Sequence, residues 1–260
     1  MEHGISADGT RIAFARFGHG SPVVVLLGAL ATSAGGVAVA TALASAGLQG
    51  VIVDRRARGE SGDNGPYTPQ REAEDLAAVV EAVGGRAAVL GHSSGAVLAL
   101  FAAAQGVPIT QLFLSEPPFR FGVDEPPADL ADRLQALVDR GDPDAAVVLF
   151  QREGVGLPEP VIEQIRNSSM FEDLVPLAQS TVYDAILTRA VSSPTPAMRA
   201  VSIPVTILRG EPTYPILVTA AERLAAAMPT AELVVVAESH DHDFDPEATA
   251  REISHRLVDR

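Results

Sequence analysis

Residues 87–97 read AAVLGHSSGAV. A short apolar run, Ala87-Ala88-Val89-Leu90, meets Gly91-His92-Ser93-Ser94-Gly95, and small apolar residues continue beyond it. This is the pattern G-x-S-x-G between a run that reads as a buried strand and one that reads as a helix. A serine on so sharp a strand-to-helix turn has backbone angles that crowd its neighbours. The residues two before and two after it must therefore be nearly without side chains, and Gly91 and Gly95 meet that need. Ser93 is expected at the strand tip with its hydroxyl exposed. The Ser94 N–H, at the helix N-terminus, is expected to face any oxyanion formed there. The bare pattern is unspecific; its strand-turn-helix setting gives it weight.

Outward from this stretch, strand and helix signals alternate. Ile5–Phe17 alternates around the turn dipeptide Asp8-Gly9 and predicts an antiparallel hairpin. Val23–Leu27 and Val51–Val53 are wholly apolar, the pattern of strands buried on both faces. Small residues over Gly35–Ala46 predict a helix. A second helix should start at Thr68-Pro69, with Thr68 as cap, and bury Ala73, Leu76, Ala77, Val80 and Val83. Gln111–Leu114 follows the helix that begins after Ser93, the elbow helix, as another strand. The alternation predicts an α/β fold with a mostly parallel sheet and right-handed crossovers.

The rhythm breaks after Glu116. Residues 117–196 carry Pro-rich joints and helical stretches (Leu130–Val138, Ala145–Phe150, Leu174–Leu187) but no convincing strand. Strand signals resume at Val205–Leu208 and Leu233–Ala237, with helices at Val218–Ala227 and Pro246–Val258. We therefore expect residues 1–116 and 197–260 to form the core and residues 117–196 an all-helical cap over the C-terminal strand edge, where open α/β sheets bind ligands. Met170, Phe171, Tyr183 and Leu187 are candidates for its pocket wall, or for the cap's own core.

Composition narrows the chemistry. All 19 basic residues are Arg, and Cys is absent. Lysine Schiff bases, Walker-type phosphate sites, thiol nucleophiles, disulfides and thiolate metal sites are thereby excluded. The net charge of −14 argues against nucleic acid or an anionic membrane as partner. The first residues lack a signal-peptide pattern, and no apolar run approaches a membrane span. The expectation is a cytoplasmic protein, monomer or homodimer, acting on a small molecule without a cofactor or metal.

The order of parts resembles the α/β-hydrolase fold family over essentially the whole chain. Four stretches carry the likeness: Val23–Leu30 as strand and oxyanion loop, Asp54-Arg55-Arg56-Ala57-Arg58-Gly59-Glu60-Ser61-Gly62 as the D-x-R-type loop, the elbow, and a His after the last strand. Leu114-Ser115-Glu116-Pro117-Pro118-Phe119 is similar to a subset of small bacterial members with an E-P-P segment. Two departures stand out. The first loop has Leu27-Gly28 where members usually carry His-Gly; Gly28 still permits close approach, so the Ala29 N–H is the expected second oxyanion donor. After the strand that follows the cap, Gly210-Glu211-Pro212-Thr213 places Thr213 where the usual acid would be Asp.

A serine hydroxyl needs a base, and the base a group that orients it. Of six histidines, His3, His19 and His255 read as surface residues and His92 as packing or pocket lining. Ser239-His240-Asp241-His242 follows the last strand. Counting back from Pro246 favours His242, and His240 stays open as the alternative. A metal site from His240, Asp241, His242 and Asp243 is the weaker rival, since adjacent residues rarely converge on one ion. For the acid we choose Glu116, which ends the strand after the elbow helix, a place some lactonases and one dehalogenase subclass of the family use. Glu211 is the reserve, and a bracing role at the cap joint is the bland alternative. Asp54 and the arginines after it read as structural.

The resemblance implies a serine hydrolase cleaving a carboxylic ester or lactone through an acyl-enzyme; amidase, C–C hydrolase and perhydrolase chemistry use the same triad. A serine in place of Asp argues against haloalkane and epoxide chemistry. The competing reading is a hydrolase-fold protein that binds a small molecule without turnover, motivated by Thr213 in place of Asp and by the displaced His after the last strand. A histidine without an acidic partner would favour that binder.

Overall fold

The computed structural model describes residues 1–258. Among them eight strands, β1 (Glu2–Ile5), β2 (Arg11–Phe17), β3 (Pro22–Leu26), β4 (Gln49–Val53), β5 (Ala87–His92), β6 (Ile109–Ser115), β7 (Val205–Gly210) and β8 (Glu232–Val236), form one sheet. Their order is β1-β2-β4-β3-β5-β6-β7-β8. β1 and β2 pair antiparallel, as the Asp8-Gly9 turn requires, and β2 also pairs antiparallel with β4; every other pair is parallel. The central strands are continuous apolar runs because both faces are covered. On β3, Val24 and Leu26 face one apolar cluster while Val23 and Val25 face the other.

On the first face lie α2 (Pro69–Ala82), α3 (Ser94–Ala104) and α10 (Pro215–Ala227); on the second, α1 (Val37–Ser45) and α11 (Pro246–Val258). Helix α2 starts at Pro69, but the Thr68 side chain makes no capping hydrogen bond. Its inner face holds Val79 where the apolar pattern suggested Ala77, and it also buries Glu72 and Asp75. Those carboxylates are met by the loop after β4. Arg55 bonds Glu72 at 2.8 and 2.9 Å, and Arg56 bonds Asp75 at 2.7 and 2.9 Å and Asp8 at 2.8 Å. Asp54 accepts the Ser33 and Glu60 N–H groups. The loop is pinned by bidentate ion pairs, as expected of a structural segment.

Between β6 and β7 the described residues form helices α4 (Leu130–Asp139), α5 (Pro143–Leu149), α6 (Glu159–Arg166), α7 (Met170–Leu174), α8 (Ala178–Ala190) and α9 (Pro196–Arg199), and no strand. A π-helical turn, Phe150–Val155, follows α5. The insertion has an apolar cluster of its own, including Leu134, Phe150, Phe171 and Val182, against which Ala29, Leu30 and Tyr67 of the core pack. No described helix is long and apolar enough to cross a membrane.

Candidate active site

Parallel pairing brings the first two groups together. β5 and β6 are in register with His92 opposite Ser115, so the residues that follow, Ser93 and Glu116, leave the sheet side by side. The ladder continues one step past the strands: Ser93 N–H donates to Ser115 O at 2.9 Å and Glu116 N–H to Leu208 O at 3.0 Å. The third group arrives from the loop after β8, where the Asp241 N–H donates to Pro212 O.

Ser93, Glu116 and His242 all have positive φ, at 53°, 46° and 64°. Non-glycine residues hold such angles at a cost of about 1–3 kcal/mol each, and only where surrounding structure over-determines them. For Ser93 (ψ −125°) the strain is the elbow itself. A Cβ on Gly91 would lie 2.5 Å from Ala96 Cα, and one on Gly95 would overlap the Leu26 carbonyl oxygen, so neither position admits another residue.

The side chains form a relay. Ser93 Oγ lies 3.0 Å from His242 Nε2, and His242 Nδ1 lies 2.6 Å from Glu116 Oε2. The Glu116 carboxylate accepts a hydrogen bond from Nδ1–H, which leaves the Nε2 lone pair facing the hydroxyl. Glu116 is 2% exposed. Burial alone would raise its pKa. The His242 hydrogen bond, the Gly210 N–H (2.9 Å to Oε1) and the nearby Thr213 hydroxyl outweigh that and hold it below the usual carboxylate range. Thr213 Oγ1 itself is buried without a hydrogen bond of good geometry.

His92 packs its ring 4.9 Å from that of His242 and bonds Ser115 Oγ at 3.1 Å. Burial, with the His242 charge second, pushes its pKa down to about 3, so it stays neutral. It is a packing residue beside His242, away from the cavity lining.

The structure thus unites Ser93, His242 and Glu116. His240 is exposed, with Nδ1 turned to Glu238 O at 3.1 Å, and stands outside the relay. His240 and His242 therefore diverge. Glu211 is exposed and faces Arg209 at 3.9 Å, so it is not a member either. Ala29, Ser93, Ser94 and His242 line a cavity of about 570 Å³ between sheet edge and insertion. Its walls are mainly apolar, with Leu130, Phe150, Leu157, Tyr214 and Leu217 prominent. Of the four wall candidates from sequence, Phe171 and Tyr183 sit in the insertion's cluster, Leu187 in the main core, and Met170 is exposed. Helical periodicity gives a face but not which body that face meets. Sequence also gave no sign of Asp184, a buried carboxylate on α8 that lines the cavity. A lone acid amid apolar residues carries no motif.

The model of the alpha/beta hydrolase family matches residues 17–252. A solved alpha/beta hydrolase from Sphaerobacter thermophilus is 39% identical, with TM-score 0.91 over 98% of this chain and 100% of that one. An esterase from Exiguobacterium antarcticum (20% identity, TM-score 0.68, 99% and 97% covered) has a similar fold. So does an enol-lactonase from Burkholderia xenovorans (19%, 0.67, 99% and 98%). No curated protein matches the sequence.

Proposed function

The chain belongs to the alpha/beta hydrolase family, and within it we propose a serine hydrolase that cleaves a carboxylic ester or lactone through an acyl-enzyme. The observation that carries this reading is the unbroken Ser93–His242–Glu116 chain of hydrogen bonds, 3.0 and 2.6 Å long. An imidazole paired to a carboxylate supports turnover over binding alone, since a binding protein has no need of it.

In the proposed reaction Ser93 Oγ bonds to the carbonyl carbon as its proton passes to His242 Nε2. The carbonyl oxygen becomes an oxyanion held by the Ala29 and Ser94 N–H groups, the latter at the positive end of α3. As the C–O bond to the leaving alcohol breaks, His242 gives that oxygen the proton. Water then attacks the acyl-enzyme, His242 takes its proton, and the acid leaves as Ser93 regains its hydrogen. Glu116 stays ionised throughout and stabilises the imidazolium. The apolar cavity holds the acyl or alcohol portion.

The test is labelling with a fluorophosphonate, peptide mapping, and burst kinetics with p-nitrophenyl butyrate. Modification at Ser93, with kcat down by about 10⁴–10⁶ in Ser93→Ala, is expected. An unlabelled Ser93 in folded protein, or an unchanged rate in Ser93→Ala, refutes the reading.

A further inference from the structure

Two arginines of the loop after β4 reach beyond their structural partners to the backbone beside the nucleophile. Arg58 Nη1 donates to Gly28 O at 2.5 Å. Arg55 Nη1 donates to Leu27 O at 3.3 Å and to Ser94 Oγ at 3.0 Å. Both guanidinium groups converge on Asp184 of α8, with Oδ1 at 3.0 Å from Arg55 Nη1 and Oδ2 at 2.7 Å from Arg58 Nη2. Arg55, Arg58, Asp184 and Ser94 are each no more than 3% exposed.

The consequence follows from peptide planarity. In a trans peptide the carbonyl oxygen and the next residue's N–H point in opposite directions. Arg58 holding Gly28 O therefore orients the Ala29 N–H, and Arg55 holding Leu27 O orients the Gly28 N–H. Through Ser94 Oγ, Arg55 also anchors the residue bearing the other oxyanion donor. The two arginines differ in support. Glu72 holds Arg55 bidentately from the core side, whereas Asp184 is the carboxylate that pairs with Arg58, whose Nε is buried without a partner.

We propose that Asp184 is a positioning residue for the oxyanion hole, acting through Arg58 on the Gly28–Ala29 peptide and through Arg55 on Ser94. The proposal rests on the reading of Ser93 as nucleophile with Ala29 and Ser94 as donors. Asp184 touches no reacting atom. Its place on the insertion means that α8, besides roofing the cavity, sets the donor geometry beneath it. Without its charge, two buried like-charged guanidinium groups lose their shared counter-ion, and Arg58 has no carboxylate left to hold it against Gly28 O.

The experiment compares wild type, Asp184→Asn and Ser94→Ala. It reads kcat and KM for p-nitrophenyl butyrate per fluorophosphonate-titrated site. It also reads the affinity of an alkyl trifluoromethyl ketone, which adds to the serine and forms an oxyanion, and of the matching secondary alcohol, which does not. Asp184→Asn is expected to lower kcat roughly 10²–10³-fold, as for loss of one oxyanion donor, with KM nearly constant. The ketone should weaken by the same factor and the alcohol should not. Ser94→Ala, which keeps its backbone N–H and loses the hydroxyl that meets Arg55 and Asp184, is expected to lose roughly tenfold in both kcat and ketone affinity. A folded Asp184→Asn with kcat near wild type, or with ketone and alcohol weakened alike, overturns the proposal. If Asp184→Asn does not fold, Ser94→Ala decides: an unchanged kcat and ketone affinity overturns it. Absence of Ser93 labelling in wild type instead overturns the underlying hydrolase reading, so the two failures are distinguishable.

Discussion

Replacing Glu116 by Gln removes one charge and almost nothing else. The amide oxygen can still accept the Gly210 N–H that Glu116 Oε1 takes at 2.9 Å, and the volume is unchanged. What is lost is the carboxylate 2.6 Å from His242 Nδ1 in a site where Glu116 is 2% exposed. With charge centres about 4 Å apart and an effective dielectric of about 20, the attraction for the imidazolium in the transition state is about 4 kcal/mol. At about 1.4 kcal/mol per decade this is roughly three decades in kcat. An amide that turns its NH₂ toward Nδ1 would also favour the wrong tautomer, so the full expectation is a fall of about 10³–10⁴. Glu211→Gln serves as the control. Glu211 is solvated and makes one long contact, 3.9 Å to Arg209, so its kcat should stay within about twofold of wild type. The assay is kcat with p-nitrophenyl butyrate, alongside urea unfolding to verify that both variants are folded. If Glu116→Gln keeps more than a tenth of the activity, or Glu211→Gln loses more than nine tenths, the assignment of the acid is wrong.

Three further outcomes follow from the same geometry. In Gly28→Ala the new Cβ would lie 2.8 Å from Ser93 Cβ; displacing the proposed nucleophile should cost about 10²-fold in kcat/KM, measured with circular dichroism held constant. Thr213 Oγ1 is buried near Glu116, so adding Thr213→Asp to Glu116→Gln should recover at least about tenfold of the lost kcat through a carboxylate supplied from the neighbouring strand end; no recovery would mean the loop cannot aim an acid at His242. His92 is neutral in the fold, its pKa pushed to about 3 from 6.5 by burial first and His242 second. Below pH 6.5 the unfolded chain takes up a proton that the folded one refuses, so stability present above 6.5 is lost as pH falls toward 3, at most about 1.4 kcal/mol per pH unit. Thermal unfolding from pH 7 to 4 should therefore show a shallower decline in His92→Gln than in wild type.

The residues that announced the fold act locally. Gly91, Ser93 and Gly95 form one turn whose backbone strain demands glycine at fixed offsets, and the valines of β3 carry the apolar run of a strand covered on both faces. Such requirements are satisfied within a few residues, so a linear reading recovers them. It also narrowed the proposed triad to one serine, two histidines and two carboxylates. Deciding among those belonged to the tertiary structure, because the choice turns on backbone direction. His242 joins the relay because Asp241 and His242 both take left-handed angles (φ 54° and 64°) that turn its ring inward and leave His240 in solvent. Glu116 is selected because β6 lies in register beside β5. Asp184 left no mark in the sequence at all, for its partners Arg55 and Arg58 stand 129 and 126 residues away. A charge is buried only where another element brings its counter-ion, and that meeting is a property of the packed chain.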